Sequence, residues 1–290
     1  MKTNIDTRKN THSILAPSSK EWIHCGYSAK FLANKGDETN DASEFGTECH
    51  ALAEAYIRQS LNLIDYDATE TVSTDELKAS FKHYDDEMEQ LANGYANFVI
   101  STVSFEERRT GVKPIVFVEQ LLDLDYAPDT HGTADTIVIA GDTVTVIDNK
   151  TGRIKVDVKD EATGELNSQL AIYGLYAYKL FEKAYPINKI RLVIYQERVN
   201  NISDITLDKE DLLEWEVSVL RPAAKEAQKE NPQAISGSHC KYCPGRNVCR
   251  QRAEDELKVA ESIKRVDLMT DAEIEELLPK LDGLVSYIED

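Results

Sequence analysis

Apolar residues recur at helical spacing in the first part of the chain, which predicts helices over residues 18–33, 43–61 and 74–110. A loop is predicted between the first two, around residues 34–41. The pattern then changes to β-branched and alternating residues, which predicts strands over residues 114–124, 132–140 and 143–148. Gly141-Asp142 separates the last two strands and is typical of a tight hairpin turn, so the three strands should form a meander.

The second half of the chain returns to helices around one more strand. A long helix is predicted over residues 164–184 and a strand over residues 189–199. Asp208 is a suitable N-cap for a helix that ends near Pro232. A last helix should begin at a capping box formed by Thr270 and Glu273. The core order is therefore α, β, β, β, α, β, which indicates an α/β protein with helical segments at both ends.

Composition narrows the class of protein. The chain has 290 residues, of which 41% are hydrophobic and 29% charged, as in globular proteins large enough for a core without disulfides. Its 33 basic and 52 acidic residues give a formal net charge of −19. This charge excludes a generally basic nucleic-acid coat, but it permits a nucleic-acid enzyme with a locally basic groove. No apolar run approaches the roughly 20 residues of a membrane span, so no membrane partner is expected.

The start of the chain and the cysteines indicate a compartment. Residues 1–10 are polar and lack the apolar centre of a secretory signal, so we expect a cytoplasmic protein. In a reducing cytoplasm the five cysteines are expected to bind metal or to stay free.

Carboxylates and one lysine recur near the ends of the predicted strands. Asp148 and Lys150 alternate onto the same face at the end of the third strand. Asp135 lies 13 residues before Asp148, and Glu119 belongs to the first strand. Carboxylates are ligands for Mg²⁺ or Mn²⁺, which can activate water and polarise a phosphate, while an ammonium offsets developing negative charge. The set indicates metal-dependent phosphodiester hydrolysis.

Two pairs of residues at helical spacing add to these candidate site residues. His50 and Glu54 lie four residues apart, so they share a helix face, and an imidazole is a good ligand for Mn²⁺. Gln169 and Tyr173 are also four apart, on the helix that follows the lysine. They suit contacts to a phosphate or a base, or the orientation of the lysine.

In chain order the motifs are G-T-x-x-H-x-x-x-E, E, G-T-A-D, D-N-K-T-G and Q-x-x-x-Y. This order resembles the RecB-like branch of the PD-(D/E)XK nuclease superfamily, over about residues 45–199. The resemblance implies a restriction-endonuclease-like αβββαβ core. The metal ligands that it implies are His50, Asp135 and Asp148. The catalytic-site residues that it implies are Lys150, Asp148, Asp135, Glu119, Gln169 and Tyr173, with the role of Glu119 the least defined.

One position departs from this family pattern. Asn149 stands where the family more often has an aromatic or aliphatic residue. That position usually offers its backbone carbonyl to the metal, so the change of side chain should matter little.

Three of the five cysteines form the compact motif Cys240-x2-Cys243-x5-Cys249. A four-thiolate centre needs one more ligand, which is either Cys25 or Cys49. Cys49 lies beside His50 on a predicted helix and is expected to be a small buried apolar residue.

One N-terminal and three C-terminal cysteines resemble the iron–sulfur exonucleases of the same branch, such as AddB nuclease domains and CRISPR-associated exonucleases. The resemblance implies a 4Fe–4S cluster that joins the two ends of the chain, and zinc would satisfy the same thiolates. The implied ligands are Cys25, Cys240, Cys243 and Cys249.

The resemblance also suggests a domain organisation. Residues 1–45 would form an N-terminal helical segment, and residues 46–232 the nuclease core with a helical insert at about 64–112. Residues 233–255 would form the cysteine cluster and residues 256–290 an acidic helical tail. The leucines of the tail, at near-helical spacing, are expected to dock it on its own body.

The leading hypothesis is a metal-dependent DNA exonuclease that resects DNA ends in phage recombination or DNA repair. The acidic insert and tail favour a phage or prophage member, which would act in the host cytoplasm beside a single-strand annealing protein. Two alternatives stay open: a catalytically weak iron–sulfur module that binds DNA ends, and a zinc-stabilised acidic protein that binds a basic partner. The sequence leaves open whether the chain forms a homo-oligomer, and which strand and polarity it prefers.

A short basic run lies beside the proposed site, formed by Lys150, Arg153, Lys155 and Lys159. It is interpreted either as the lining of a DNA channel or as a solvated loop.

Overall fold

The protein has a mixed α/β fold. The computed structural model describes residues 15–18, 21–34, 40–63, 73–161, 163–263 and 268–290. The helices are α1 Glu21–His24, α2 Ser28–Asn34, α3 Asp41–Leu61, α4 Thr74–Ser80, α5 Asp86–Thr110, α6 Ser168–Phe181, α7 Lys209–Trp215, α8 Arg221–Ala227, α9 Arg250–Ser262 and α10 Asp271–Glu289. The strands are β1 Ile115–Leu124, β2 Thr130–Ala140, β3 Thr143–Asn149, β4 Lys189–Gln196 and β5 Asn201–Asp208.

The described residues belong to two compact units. The sheet unit lies within Glu38–Asp125 and Asp129–Glu216. The cysteine unit lies within Ile14–Asp37, Tyr126–Pro128 and Val217–Asp290. The four predicted cluster cysteines, the last helices and the first two helices thus share one unit.

One sheet contains the five strands in the order β1-β2-β3-β4-β5. β1, β2 and β3 are antiparallel neighbours, β3 and β4 are parallel, and β5 pairs antiparallel with β4. The predicted meander is confirmed, and its tight turn lies between the paired residues Ala140 and Thr143. Gly141 has a φ of 62° in that turn, a left-handed conformation that glycine adopts without steric cost.

Different helices cover the two faces of the sheet. On one face Ile147 of β3 joins a buried apolar cluster that includes Cys49 of α3. On the other face α6 lies so close to β4 that a Cβ at Gly174 would stand 2.4 Å from Leu192. Because neighbouring side chains of a strand alternate, Asp148 lies on the face opposite Ile147, which α6 covers.

The helical insert is two helices rather than the predicted single one over residues 74–110. The break falls between the C-cap of α4 at Phe81 and the N-cap of α5 at Asp85, whose side chain accepts from the backbone of Met88. Residues 64–72 of the predicted insert lie outside the described residues.

Glu89 of α5 ties the insert to α3. Its carboxylate accepts hydrogen bonds from Tyr56 at 2.7 Å and Tyr84 at 3.0 Å, and it lies 3.0 Å from the ammonium of Lys78. Burial alone would raise the pKa of Glu89, but these partners outweigh it and lower that pKa to about 2. The carboxylate is therefore charged at neutral pH and holds α4 beside α5.

The predicted first helix over residues 18–33 is wrong at its centre. The chain leaves α1 at His24 and begins α2 at Ser28, and residues 19–20 lie outside the described residues. Cys25 leaves the helix because its Sγ accepts a hydrogen bond from the backbone of Ile235 at 3.4 Å. Gly26 packs so tightly that a Cβ would lie 3.1 Å from the backbone of Ala227. These contacts with distant residues outweigh local helical propensity.

The sequence interpretation also missed β5. The predicted strand over residues 189–199 ends at Gln196, and a 3₁₀ turn, Glu197–Val199, leads to Asn200 with a φ of 49°. β5 then returns along β4. It lies at the edge of the sheet. Burial alternates along it, with Ile205 and Leu207 half-buried and Thr206 and Asp208 exposed, so the alternation of a strand was present in the sequence and was overlooked.

Two other predicted helices have different bounds. The helix predicted over 164–184 begins only at Ser168, because Leu166 pairs with Lys159 and Asn167 caps the helix. The helix predicted from Asp208 ends at Ala227 and contains a π-helical segment, Glu216–Leu220.

The cysteine unit closes with α10, which packs on α9. The predicted capping box of Thr270 and Glu273 is confirmed. Arg252 of α9 is 1% exposed, and its guanidinium lies 2.6 Å from Asp290 and donates to Ser286 at 3.2 Å. The tail thus docks on its own unit, as expected. In the described ranges, no helix combines the length and apolar character needed to cross a bilayer.

Arg252→Ala should destabilise the cysteine unit, because it leaves the docking face of α10 without its buried cation. We expect the free energy of unfolding to fall by about 2–4 kcal/mol, since removing one partner of a buried ion pair is costly. Urea unfolding followed by the fluorescence of buried Trp22 in this unit measures the effect. Arg250→Ala is the matched control because its side chain is 91% exposed, and its change should stay within about 0.5 kcal/mol. Equal losses in the two variants would contradict the docking role.

Candidate functional site

The candidate site lies where β2 and β3 separate. Their pairing ends at Thr136 and Ile147, so the backbone beyond that point needs other partners. Asp135 provides one, because its Oδ2 accepts the backbone N–H of Asn149 at 2.7 Å. Tyr95 of α5 places its hydroxyl 2.8 Å from the Thr136 hydroxyl and 3.2 Å from the Ile147 carbonyl oxygen. The separation therefore places the Asp135 carboxylate beside the end of β3 and fixes it there.

Lys150 continues the strand face of Asp148, as predicted. Its ammonium lies 2.8 Å from Asp148 Oδ2 and donates to Gln169 Oε1, also at 2.8 Å. The backbone N–H of Lys150 donates to Tyr195 of β4 at 2.8 Å. Strand pairing on one side and α6 on the other thus fix both ends of the lysine.

His50 reaches the carboxylates from α3. Its Nδ1 lies 3.5 Å from Asp135 Oδ1 and 3.8 Å from Glu119 Oε1. The ligand atoms of these three residues all lie within 4.8 Å of one another. A nitrogen and two carboxylate oxygens at this spacing can hold a divalent cation.

Glu119 reaches this group through an unusual backbone conformation. It has a φ of 51° within β1, which for a residue with a side chain costs about 1–3 kcal/mol. The preceding carbonyl, of Val118, accepts a hydrogen bond from Arg58 of α3 at 3.2 Å. Arg58 is in turn held by Glu54, 2.8 Å from its Nε. His50, Glu54 and Arg58 recur every four residues, so this helix face contacts the site along two turns.

The charges of the group support one another. Burial alone would lower the pKa of His50, but Asp135 and Glu119 outweigh it and raise that pKa well above its ordinary value. Burial alone would raise the pKa of Asp135, yet His50 and the Asn149 N–H lower it. For Glu119, burial and the nearby Asp135 charge prevail and raise the pKa. In the free protein the proton on His50 therefore balances the Asp135 carboxylate, and a bound cation would take the place of that proton.

Asp148 and Lys150 form the second charged pair. Asp148 is 4% exposed, and burial raises its pKa despite the nearby ammonium. Burial would lower the pKa of Lys150, but Asp148 outweighs this effect and raises it. The lysine is therefore a cation at neutral pH.

Gln169 and Tyr173 lie on α6 next to this pair. Tyr173 is 5% exposed and hydrogen-bonds to Gln169, and burial raises the pKa of its phenol. The structure thus brings together His50, Glu119, Asp135, Asp148, Lys150, Gln169 and Tyr173. Asn149 is also buried, and within the described residues its Nδ2 has no hydrogen-bond partner.

A second group of a histidine and two carboxylates also has its ligand atoms close enough together for a metal ion. Asp41, Glu44 and His83 have ligand atoms within 4.8 Å of one another. However, the ammonium of Lys82 already lies 3.1 Å from Asp41 and 2.8 Å from Glu44. A protein cation neutralises these exposed carboxylates, so the group attaches a loop to α3.

The four cysteines predicted as cluster ligands all lie in the cysteine unit. Burial raises the pKa of the Cys243 thiol, and the nearby Cys240, Cys25 and Cys249 raise it further. The four sulfurs are therefore close enough to interact. Cys49 is fully buried in the apolar cluster of the sheet unit, as predicted, and burial raises its pKa to about 11.

Backbone groups and one histidine surround the cysteine sulfurs. Cys25 Sγ accepts the backbone N–H of Ile235 at 3.4 Å, and the backbone of Gly245 lowers the pKa of the Cys243 thiol against the effect of burial. Burial would lower the pKa of His239, but Cys240 and Cys25 raise it to about 10. N–H groups directed at sulfur stabilise thiolates, the form that binds metal.

The cysteine sulfurs of the described residues are less tightly grouped than the two His–carboxylate groups. Among the described residues two groups have three ligand atoms within 4.8 Å of one another, and the cysteines are not among them. A tetrahedral zinc with Zn–S bonds of about 2.3 Å would hold its sulfurs about 3.8 Å apart. Thiolates bound to separate iron atoms of one cluster lie farther apart.

Several residues of the site were missed in the sequence. Arg58 was detectable, because it continues the four-residue spacing of His50 and Glu54. Gln196 was not, since its role depends on long-range contacts. It is fully buried, and its Nε2 donates to the carbonyls of Gly152 at 3.1 Å and Ile154 at 2.8 Å. Gln196 thereby holds the loop that follows Lys150.

Fold and site together define a mixed α/β protein with a half-buried histidine, carboxylates and a lysine where β2 and β3 separate, and with a separate cysteine set. The chain belongs to the DUF2800 family, described as "Protein of unknown function (DUF2800)", whose model matches residues 12–290.

A solved structure described as "Crystal structure of SSO0001" is similar at 17% identity. The match covers 69% of this chain and 95% of that chain, with a TM-score of 0.29. A likeness at this level supports no argument about fold or function.

His50→Ala should weaken Mn²⁺ binding at least about tenfold, because it removes the nitrogen ligand from the group formed with Glu119 and Asp135. In the other described group, the Lys82 ammonium already lies beside both carboxylates. Calorimetric titration of Mn²⁺ into the metal-free protein measures this affinity. His83→Ala is the matched control, and it should leave the affinity unchanged because Lys82 occupies that group. Weakened binding in His83→Ala alone would move the metal site to the other group.

Proposed function

We propose that this protein is a divalent-metal-dependent DNA exonuclease of the RecB-like PD-(D/E)XK type. One observation carries the proposal: His50, Glu119 and Asp135 meet within ligand distance of one another, beside an Asp148–Lys150 pair at 2.8 Å. The αβββα order of the sheet unit and the meander that holds the carboxylates support the same assignment. β5 extends that core by one edge strand.

The residues fit a Mg²⁺ or Mn²⁺ ion. Ligands at about 2.1 Å from one ion lie at most about 4.2 Å apart, so side chains within 4.8 Å need only a small inward movement. His50, Glu119 and Asp135 would hold the ion, with Asp148, beside Lys150, as a further carboxylate. When bound, the ion would polarise the phosphate and make an attacking water more acidic.

Lys150 is the side chain that contributes a positive charge to the site, in addition to that of the metal ion. Its ammonium lies beside the buried Asp148, where it can stabilise negative charge developing on a phosphate oxygen. Gln169 accepts one ammonium N–H and so fixes the direction of the others. Tyr173 holds Gln169 through a hydrogen bond, and burial of the phenol excludes water from that side.

The cysteine set supports a 4Fe–4S cluster held by Cys25, Cys240, Cys243 and Cys249. Cys25, Cys240 and Cys249 are near enough to Cys243 to raise its pKa, and a backbone N–H contacts Cys25 Sγ. The cluster would join the start and the end of the cysteine unit. Zinc at the same thiolates is the alternative.

The acidic body fits an enzyme that acts on DNA ends. A net charge of −19 opposes non-specific duplex binding, which depends on phosphate neutralisation. DNA would then bind only where local cations compensate. A single-strand annealing protein in phage recombination or DNA repair is the proposed partner, because resection exposes the strand that such a protein binds.

The wild-type protein should degrade end-labelled linear DNA with Mg²⁺ or Mn²⁺ and leave closed circles intact. Lys150→Ala should reduce the rate at least about 100-fold, because it removes charge stabilisation at the phosphate. Lys189→Ala, a surface lysine at the start of β4, is the matched control and should keep the activity. Gel analysis of the labelled products over time checks both variants.

Other outcomes of this assay lead to the alternatives. If anaerobically purified protein with an intact cluster binds DNA ends without cleaving them, the result would favour an end-binding module over an enzyme. A colourless, zinc-loaded protein without DNA affinity would favour an acidic interaction protein.

Cys243→Ser should lose iron and visible absorption and should lower the melting temperature, because a hydroxyl is a poor ligand for the cluster. Cys49→Ala removes another buried cysteine, in the sheet unit, and should retain both iron and absorption. Metal analysis and absorption of anaerobically purified proteins test this pair. Normal stability of Cys243→Ser without a cluster would exclude a structural role for the cysteine set.

A further inference from the structure

One carboxylate bridges two arginines beside the candidate site. Arg198, in the turn after β4, places Nη2 2.9 Å from Glu87 Oε2. Arg153, three residues after Lys150, places Nη2 3.4 Å from Glu87 Oε1. Each oxygen of the carboxylate therefore faces a different guanidinium, as an oxyanion does in a binding site built from arginines.

Arg198 is held in place next to the catalytic lysine. Its Nη1 donates to the carbonyl of Thr151 at 2.7 Å, one residue after Lys150. Its guanidinium lies 5.0 Å from the ring centre of Phe45, a cation–π contact. The side chain is 14% exposed, and in the described part of the chain its buried Nε has no hydrogen-bond partner. The position of this cation is thus set before any ligand binds.

Side chains at the end of β4 and in the turn after it pack against α5 at Gly94. A Cβ at Gly94 would stand 2.8 Å from the Glu197 carboxylate and 3.0 Å from the Tyr195 hydroxyl. The small residue at position 94 thus leaves room for these side chains beside α5. Glu87 lies two turns earlier on the same helix and reaches Arg198 for that reason.

The Glu87 contacts are weaker than the contacts that fix Arg198. Glu87 is 42% exposed and Arg153 is 73% exposed, so water competes for the pair between them. Exposed ion pairs of this kind contribute little to stability. Displacing the carboxylate would leave Arg198 in place through Thr151 and Phe45, and a phosphate would match both guanidiniums better.

We propose that Arg153 and Arg198 form a binding site for a non-scissile phosphate of the nucleic-acid strand, and that Glu87 occupies this site until the strand displaces it. The inference rests on the proposed nuclease function, because it places the phosphate next to the one held at Asp148 and Lys150. Glu87 offsets one of the two positive charges in the free protein and so lowers the affinity for isolated anions. Of the basic run noted in the sequence, Arg153 belongs to this site, whereas Lys155 pairs with Asp157 at 3.0 Å.

Binding of a labelled single-stranded oligonucleotide tests the site, measured by fluorescence anisotropy in Ca²⁺ at several salt concentrations. Arg153→Gln should weaken binding about three- to tenfold and lower the slope of log affinity against log salt by about one. Glu87→Gln should strengthen binding about two- to fivefold, because it removes the internal competitor. The gain should shrink in the Glu87→Gln, Arg153→Gln double variant, since both act on one site.

Arg191→Gln is the matched control, because it makes the same change in an arginine that pairs with Asp204 at 2.9 Å. It should change neither the affinity nor the salt slope by a comparable amount. The inference is overturned if Glu87→Gln fails to strengthen binding, or if Arg153→Gln behaves like Arg191→Gln, while the wild type binds and degrades DNA. Wild-type protein that neither binds nor cleaves DNA would instead reject the proposed function, and the phosphate site with it.

Discussion

The separation of β2 and β3 after Thr136 and Ile147 is the constraint on which the candidate site depends. Two strands that part inside a protein leave backbone groups that need new partners. Asp135 satisfies one of them through the Asn149 N–H, and this brings its carboxylate close to Asp148. Negative charges gathered in a buried place are costly, so cations must accompany them.

The surrounding elements supply those cations from fixed positions. His50 comes from α3, while Lys150 follows β3 and is held by α6 through Gln169. Glu119 joins them because its backbone has a left-handed conformation within β1, and Arg58 donates a hydrogen bond to the carbonyl of the preceding residue. A local backbone cost is thus tolerated where it orients a ligand atom, as is common at functional sites.

Much of the sheet unit could be predicted from the sequence, because its signals are local. The alternation around Asp148 placed Lys150 on the correct face, and the Gly141 turn defined the meander. The errors arose where long-range contacts decide the conformation. Cys25 breaks the first helix to meet Ile235. Gln196 and Arg198 were invisible for the same reason, since their partners lie more than 40 residues away. β5 is a different case, because Ile205 and Leu207 alternate with polar residues and its strand pattern was overlooked.

The fully buried Gln196 has a consequence for how this family can vary. Its side-chain amide bonds the loop at Gly152, Ile154 and Val156, that is, at every second residue, much as a neighbouring strand would. Surface loops usually accept insertions and deletions readily. Here a change of length by one residue would put the wrong backbone group opposite the amide. Homologous chains should therefore keep the spacing from Lys150 to Val156 constant, even where other loops vary in length.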